Sequence, residues 1–163
     1  MNTELLAQLY QSYTGEAPTS IEPLPGAGSN RKYFRLKGKE SLIGVYGTST
    51  EENRAFIYMA RHFSQKGLPV PRILAESPDQ SAYLQDDLGD TSLFQLIKQG
   101  RESGNFSDEE TNILKRTIRL LPQIQFEGSK KMDFSYCYPL ATFNRRSVLW
   151  DLNYFKYCFL KAT

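Results

Sequence analysis

The segment Pro25-Gly26-Ala27-Gly28-Ser29-Asn30-Arg31 gathers two glycines, a hydroxyl, an amide and a guanidinium within seven positions. Glycine lets the backbone approach a ligand closely, and successive N–H groups in such a loop form a concave donor array suited to phosphate oxygens. The same glycines would also serve a plain hairpin loop. Two phosphate-binding patterns fail on context. The residues after the loop alternate as a strand and do not open the helix of a dinucleotide-binding turn, and the Gly-Lys-Ser/Thr ending of a P-loop is absent. Metal and nucleophile chemistry have little material: one histidine, His62, and two cysteines, Cys137 and Cys158, make no zinc ligand set, no CxxC and no disulfide framework. His62 reads as a helical surface residue and the cysteines as small buried hydrophobes.

The elements around the loop read as short antiparallel strands at Ser20 to Leu24, Lys32 to Leu36 and Ser41 to Tyr46, with Lys37-Gly38-Lys39 as a hairpin turn. Strand alternation places Tyr33 and Arg35 on one face, Phe34 and Leu36 on the other. Upstream, Leu5, Leu6, Leu9 and Tyr13 define a short amphipathic helix over residues 3 to 13, a lid for the sheet. Downstream, Ser49 and Glu52 form an S-x-x-E capping box, Phe56, Ile57, Ala60 and Phe63 share one face, and Gly67 supplies the stop, so a helix is predicted from Ser49 to Lys66. Two further strands, Arg72 to Glu76 and Ala82 to Asp86, flank the turn Ser77-Pro78-Asp79-Gln80.

After Gly89 the pattern turns helical, at Thr91 to Gln99 and at Ser107 to Leu121, where Ser107 and Glu110 form a second capping box and Pro122 ends or kinks the helix. Residues 127 to 146 show no period. A last helix, about Arg146 to Lys161, carries Trp150, Tyr154, Phe155, Tyr157 and Phe159 around much of its circumference and expects more protein against it. The fold class is α+β, divided at residues 1–90 and 91–163.

Twenty Lys and Arg against 18 Asp and Glu give +2 on 163 residues, with 40% hydrophobic and 23% charged positions. That balance excludes disordered and low-complexity classes and lacks the dense basic face of a nucleic-acid binder. The acidic start Met1-Asn2-Thr3-Glu4 is unlike a secretory signal, and no run of 18 apolar residues occurs, so the expectation is a cytoplasmic protein with neither a membrane nor a nucleic-acid partner.

Taken in order, strand, Gly26-to-Arg31 loop, strand ending Tyr33-Phe34-Arg35-Leu36, hairpin, strand, helix, Gly67-Leu68-Pro69-Val70-Pro71, two strands and Gln85-Asp86-Asp87-Leu88-Gly89-Asp90, the chain resembles the nucleotide-binding lobe of the aminoglycoside phosphotransferase and choline kinase family, relatives of the protein kinases. The resemblance spans roughly residues 20 to 126. Its phrasing is nearest to bacterial kinases of cell-wall amino sugars, through Tyr33-Phe34-Arg35-Leu36, Leu68-Pro69-Val70-Pro71 and Asp87-Leu88-Gly89-Asp90. It implies a protein-kinase-like N-lobe, a sheet of about five antiparallel strands with one inserted helix, followed by helices that begin a truncated C-lobe.

The resemblance also implies roles. Gly26, Gly28, Ser29 and Asn30 would cover the phosphates of ATP, Val45 would lie above the adenine with a residue near Leu84 behind it, and Gln85, Asp86 and Asp87 would form the linker whose backbone reads the base edge. Glu52 would be the helix glutamate that pairs with a lysine of the third strand. Plainer alternatives stand beside these: Glu52 as the capping-box residue, Asp87 and Asp90 as a turn and the cap of the helix near Thr91. The sequence departs from the family at the third strand, where Leu42-Ile43-Gly44-Val45-Tyr46 holds no lysine. Arg35 is the first substitute, with Arg31 and Lys32 as the others. No His/Arg-x-Asp with its following Asn and Asp occurs, so no catalytic or metal-binding residue is assigned in this chain, and Mg²⁺ ligands are expected outside it.

The function so implied is the ATP-binding part of a kinase that transfers the γ-phosphate to a hydroxyl of a small-molecule acceptor, amino sugars and aminoglycoside-like molecules among the candidates. Its partners would be ATP, the acceptor and the missing C-lobe, with self-association through the last helix, and the 163-residue chain alone would be inactive. Two other classes remain open: a nucleotide-sensing or protein-interaction module without catalysis, and an unrelated α+β domain whose glycine loop is only a hairpin.

Overall fold

A computed structural model describes residues 2–26 and 30–161. Five short strands, β1 (Ser20–Pro23), β2 (Lys32–Lys37), β3 (Leu42–Tyr46), β4 (Ile73–Glu76) and β5 (Ala82–Asp86), pair antiparallel throughout in the order β1-β2-β3-β5-β4. Their residues alternate in the pleat, and each face meets a different helix. On one face Leu36, Leu42, Ala82 and Leu84 pack under α1 (Asn2–Thr14) through its fully buried Leu6 and Tyr10. On the other, Ile43, Val45 and Tyr83 pack against Ile57 of α2 (Thr50–Gln65), the helix inserted between β3 and β4. Burial of each such large side chain stabilises the fold by about 1.5–3 kcal/mol.

Leu5, Leu6 and Leu9 of the lid helix pack on this core as expected, but Tyr10 takes the place expected for Tyr13. Leu6 and Tyr10 are the buried pair, four residues apart, while Tyr13 is exposed; the Tyr10 hydroxyl donates to the Glu40 carbonyl at 2.7 Å and accepts from the Glu40 N–H at 3.0 Å, which fixes the rotation. Gly44 allows the close approach beneath α1: a Cβ there would stand 2.6 Å from Leu36 Cδ1 and 3.0 Å from Leu6 Cδ2.

The helix expected over Thr91 to Gln99 is two short pieces, α3 (Leu93–Leu96) and α4 (Lys98–Ser103), because Ile97 leaves the helical region and Gly100 turns its N–H to the Glu110 carboxylate at 2.9 Å. Ser107 and Glu110 form the reciprocal cap of α5 (Asp108–Pro122) as expected. Pro122 keeps helical dihedrals, and wider turns carry on through Gln123–Glu127, since a proline ring blocks the ordinary hydrogen bond without forcing the chain to turn away.

The chain divides into two compact units, Met1–Met132 and Asp133–Thr163. The second holds a single 3₁₀ turn at Phe134–Tyr136 and α6 (Arg145–Phe155), capped by Asn144 and prolonged by a wide turn over Lys156–Leu160. Its Leu149, Trp150, Leu152, Tyr154, Phe155, Tyr157 and Phe159 are all exposed. The two cysteines lie in this unit and are not the buried hydrophobes expected: Cys137 is half-buried and Cys158, on the wide turn, is exposed. Among the described residues no helix is long and apolar enough to cross a membrane.

Candidate functional site

The N–H of Leu24 donates to the Tyr33 carbonyl at 2.8 Å, one residue beyond the β1 ladder, so the pairing of β1 with β2 extends to Leu24 and the connection between the strands begins at Pro25. Gly26 has open space where a Cβ would stand, and Asn30 is exposed in a bend. Gly28 and Ser29, assigned to phosphate on sequence grounds, lie outside the described residues.

At the end of this loop Arg31 reaches across to α2. Its Nη2 lies 2.7 Å from Glu52 Oε1, and its guanidinium stands 4.9 Å from the centroid of the Phe56 ring. Glu52 therefore makes only half of the expected capping box: its N–H donates to the Ser49 hydroxyl oxygen at 3.4 Å, while its carboxylate, instead of returning to the Ser49 N–H, holds Arg31. Close by is Tyr83, whose phenol is pushed up by burial and which stacks on Phe56 at 5.4 Å. On the described residues, then, a cation is held at the end of the loop by a carboxylate in the first turn of α2.

Beside the loop, on the α2 face of the sheet, opens a cleft of about 480 Å³. Leu24 and Pro25 form one wall, Tyr33 and Ile43 its floor, and the strap from Gln85 to Asp90 the facing wall. Of the residues assigned to base recognition, Gln85, Asp86 and Asp87 line this cleft, whereas Val45 does not: it is fully buried between Ile57 and Tyr83, and the residue two places earlier on the same face, Ile43, lies at the cleft. Gln85 Oε1 is buried with no hydrogen-bond partner, and the Asp86 carboxylate is turned outward into a two-point pair with Arg72 at 2.8 and 2.9 Å.

Arg35, the first substitute for the absent lysine, lies at the cleft but faces carboxylates. Its Nε and Nη2 meet the two oxygens of Asp87 at 2.8 and 3.2 Å, and its Nη2 and Nη1 meet those of Asp90 at 2.7 and 3.1 Å. Asp87 also accepts from the Ser41 hydroxyl at 2.6 Å and the Gly89 N–H at 2.9 Å. Burial pushes the Asp87 carboxyl up, but the bonds from Arg35, Ser41 and Gly89 outweigh it and hold the group at about 2. Arg35 is correspondingly raised, through Asp90 first and then Asp87. The alternative of Asp90 as a helix cap is not realised, since α3 is capped by Ser92 with Gln95.

Sequence reasoning missed Ile43 and Tyr33 as the cleft floor, although the alternation that put Tyr33 and Arg35 on one face would have found both. It had no means to pair Arg35 with Asp87, which lie 52 positions apart and meet only because β5 leads its strap back past β2. Among the described residues no group of three His, Cys, Asp or Glu side chains could hold a metal ion. A scan against family models matches none of them, and a search of curated proteins returns no match.

Proposed function

We propose that the chain is the ATP-binding part of a small-molecule kinase of the aminoglycoside phosphotransferase and choline kinase type. The adenine would occupy the slot between Leu24, Ile43 and Leu88, and the phosphates would lie under the Pro25-to-Arg31 loop. The observation that carries this reading is the Arg31–Glu52 ion pair at 2.7 Å, a held cation at the end of the glycine-containing loop in a chain whose third strand lacks the lysine that contacts phosphate elsewhere in the family. The five-strand antiparallel sheet with α2 inserted between β3 and β4 supports it, as does a cleft that joins the apolar side chains of Leu24, Ile43 and Leu88 to the end of β5 and the turn after it.

In this reading the chain's own residues bind and orient. Arg31 draws the phosphates, Glu52 keeps Arg31 from swinging into solvent, and the strap backbone aligns the base. Magnesium does not fit the carboxylates at the cleft, because Asp87 and Asp90 are engaged by Arg35 and Asp86 by Arg72.

The test is a calorimetric titration of the chain with ATP and with adenosine. Saturable binding of both is expected, in competition with each other, with ATP tighter by at least about tenfold, or about 1.4 kcal/mol. No saturable heat with either ligand would refute the reading.

A further inference from the structure

Resting on the nucleotide reading, we propose that Arg35 is a positioning residue that clamps the Asp87–Asp90 turn to the sheet, giving the base slot a fixed wall, and that it makes no contact with phosphate. The turn needs such a clamp. Its own apolar residue, Leu88, is 73% exposed and so does not hold it by packing, and Gly89, at φ +79°, gives the chain its reversal but no side chain. What remains is charge. Arg35 lies on β2 between β1 and β3, its side chain only 13% exposed, and meets the 10% exposed Asp87 in a two-point contact that also receives Ser41 from the entry to β3. Planar two-point pairing fixes orientation as well as distance, which a single point charge does not.

The same geometry separates Arg35 from the phosphates. Both edges of its guanidinium that face the cleft are taken, one by Asp87 and one by Asp90, and the cluster of one cation and two carboxylates carries a net negative charge. An anion gains nothing there. The cation this reading assigns to the phosphates is Arg31, which pairs with Glu52 at 2.7 Å and is not among the residues lining the cleft. Loss of Arg35 therefore acts on the end of the ligand that touches the strap, the base, and acts on it equally whether or not phosphates are attached.

The experiment compares the native chain with Arg35→Ala, Arg35→Lys and Asp87→Asn, measuring adenosine and ATP affinity by calorimetry and amide hydrogen exchange by NMR. Arg35→Ala is expected to weaken adenosine and ATP by the same factor, at least fivefold, and to speed exchange at Leu88 and Gly89 at least tenfold while the sheet amides of Val45 and Leu84 keep their protection. Arg35→Lys, which keeps the charge but not the planar fork, is expected to fall between. If Arg35→Ala does not fold, Asp87→Asn gives the same comparison from the other side of the clamp. A loss for ATP more than threefold greater than for adenosine would make Arg35 a phosphate ligand and overturn the proposal, and so would unchanged exchange at Leu88 and Gly89. A native chain that binds neither ligand would refute the nucleotide reading, and the exchange comparison would still decide whether Arg35 holds the turn.

Discussion

Arg31→Met removes the guanidinium while keeping an apolar stem beside Phe56, and its effect can be divided between fold and ligand. The cost to the fold is small. At a charge separation of about 4 Å and an effective dielectric near 20 the attraction to Glu52 would reach roughly 4 kcal/mol, but that is an upper bound. The Glu52 side chain is 36% exposed against 11% for Arg31, so water screens the carboxylate, and the net loss is expected near about 1 kcal/mol, close to the values of exposed pairs. The cost to the ligand is larger. A charge-assisted hydrogen bond to phosphate contributes about 1.5–3 kcal/mol, so ATP should bind about 12- to 160-fold more weakly. Adenosine, which lacks the phosphates, should lose less than about twofold. Calorimetry with ATP, ADP and adenosine, beside urea unfolding of the same variant, measures both parts. Glu52→Gln should give a smaller loss of ATP affinity, because the cation stays but is no longer held. Equal losses for ATP and adenosine, or no loss for either in a folded variant, would refute the assignment of Arg31.

Leu6→Ala, at the fully buried contact of α1 with the sheet, should lower stability by about 2–5 kcal/mol in urea unfolding, and a loss under about 1 kcal/mol would mean that α1 is not part of the core. Asp87, held at about 2 against about 3.9 in an unfolded chain, adds stability that is fully present above about pH 4 and is lost as pH falls through 2. Asp87→Asn should therefore be less stable at neutral pH and lose less than the native chain between pH 4 and pH 2.5; parallel curves would refute the clamp's electrostatic origin. The exposed apolar residues of α6 and the turn after it should make the 163-residue chain self-associate, and Trp150→Ser with Leu152→Ser should reduce the mass seen by light scattering, whereas a monodisperse native monomer would contradict this. The chain should also show no acceptor-dependent consumption of ATP in a coupled assay, and turnover would contradict the proposed division of labour.

Local chemistry made the elements legible. The strand Ala82–Asp86 starts just after the Ser77-to-Gln80 turn, and α2 starts beside Ser49 and stops before Gly67, because caps and turns are written in a few adjacent residues. Rotation and kinks were less legible. Tyr10 displaced Tyr13 in the core because its hydroxyl finds the Glu40 backbone 30 residues away, and the break at Ile97 follows from a Gly100–Glu110 bond across two helices. At the site, composition and order singled out the loop, Glu52 and the Gln85–Asp87 strap, which are contiguous segments. The partners of Arg31 and Arg35 depended on which face each strand presents and on sheet order. Opposite charges are plentiful in any sequence, and only the topology selects which of them meet.

The most direct test of nucleotide binding in this cleft is amide-resolved NMR of the chain titrated with ATP. Chemical-shift changes should concentrate at Leu24, Tyr33, Ile43 and Gln85 to Gly89, the residues around the cleft, with a second group at Arg31 and Glu52 that adenosine does not reproduce. Saturating changes confined to other surfaces, or no changes at millimolar ATP, would contradict it.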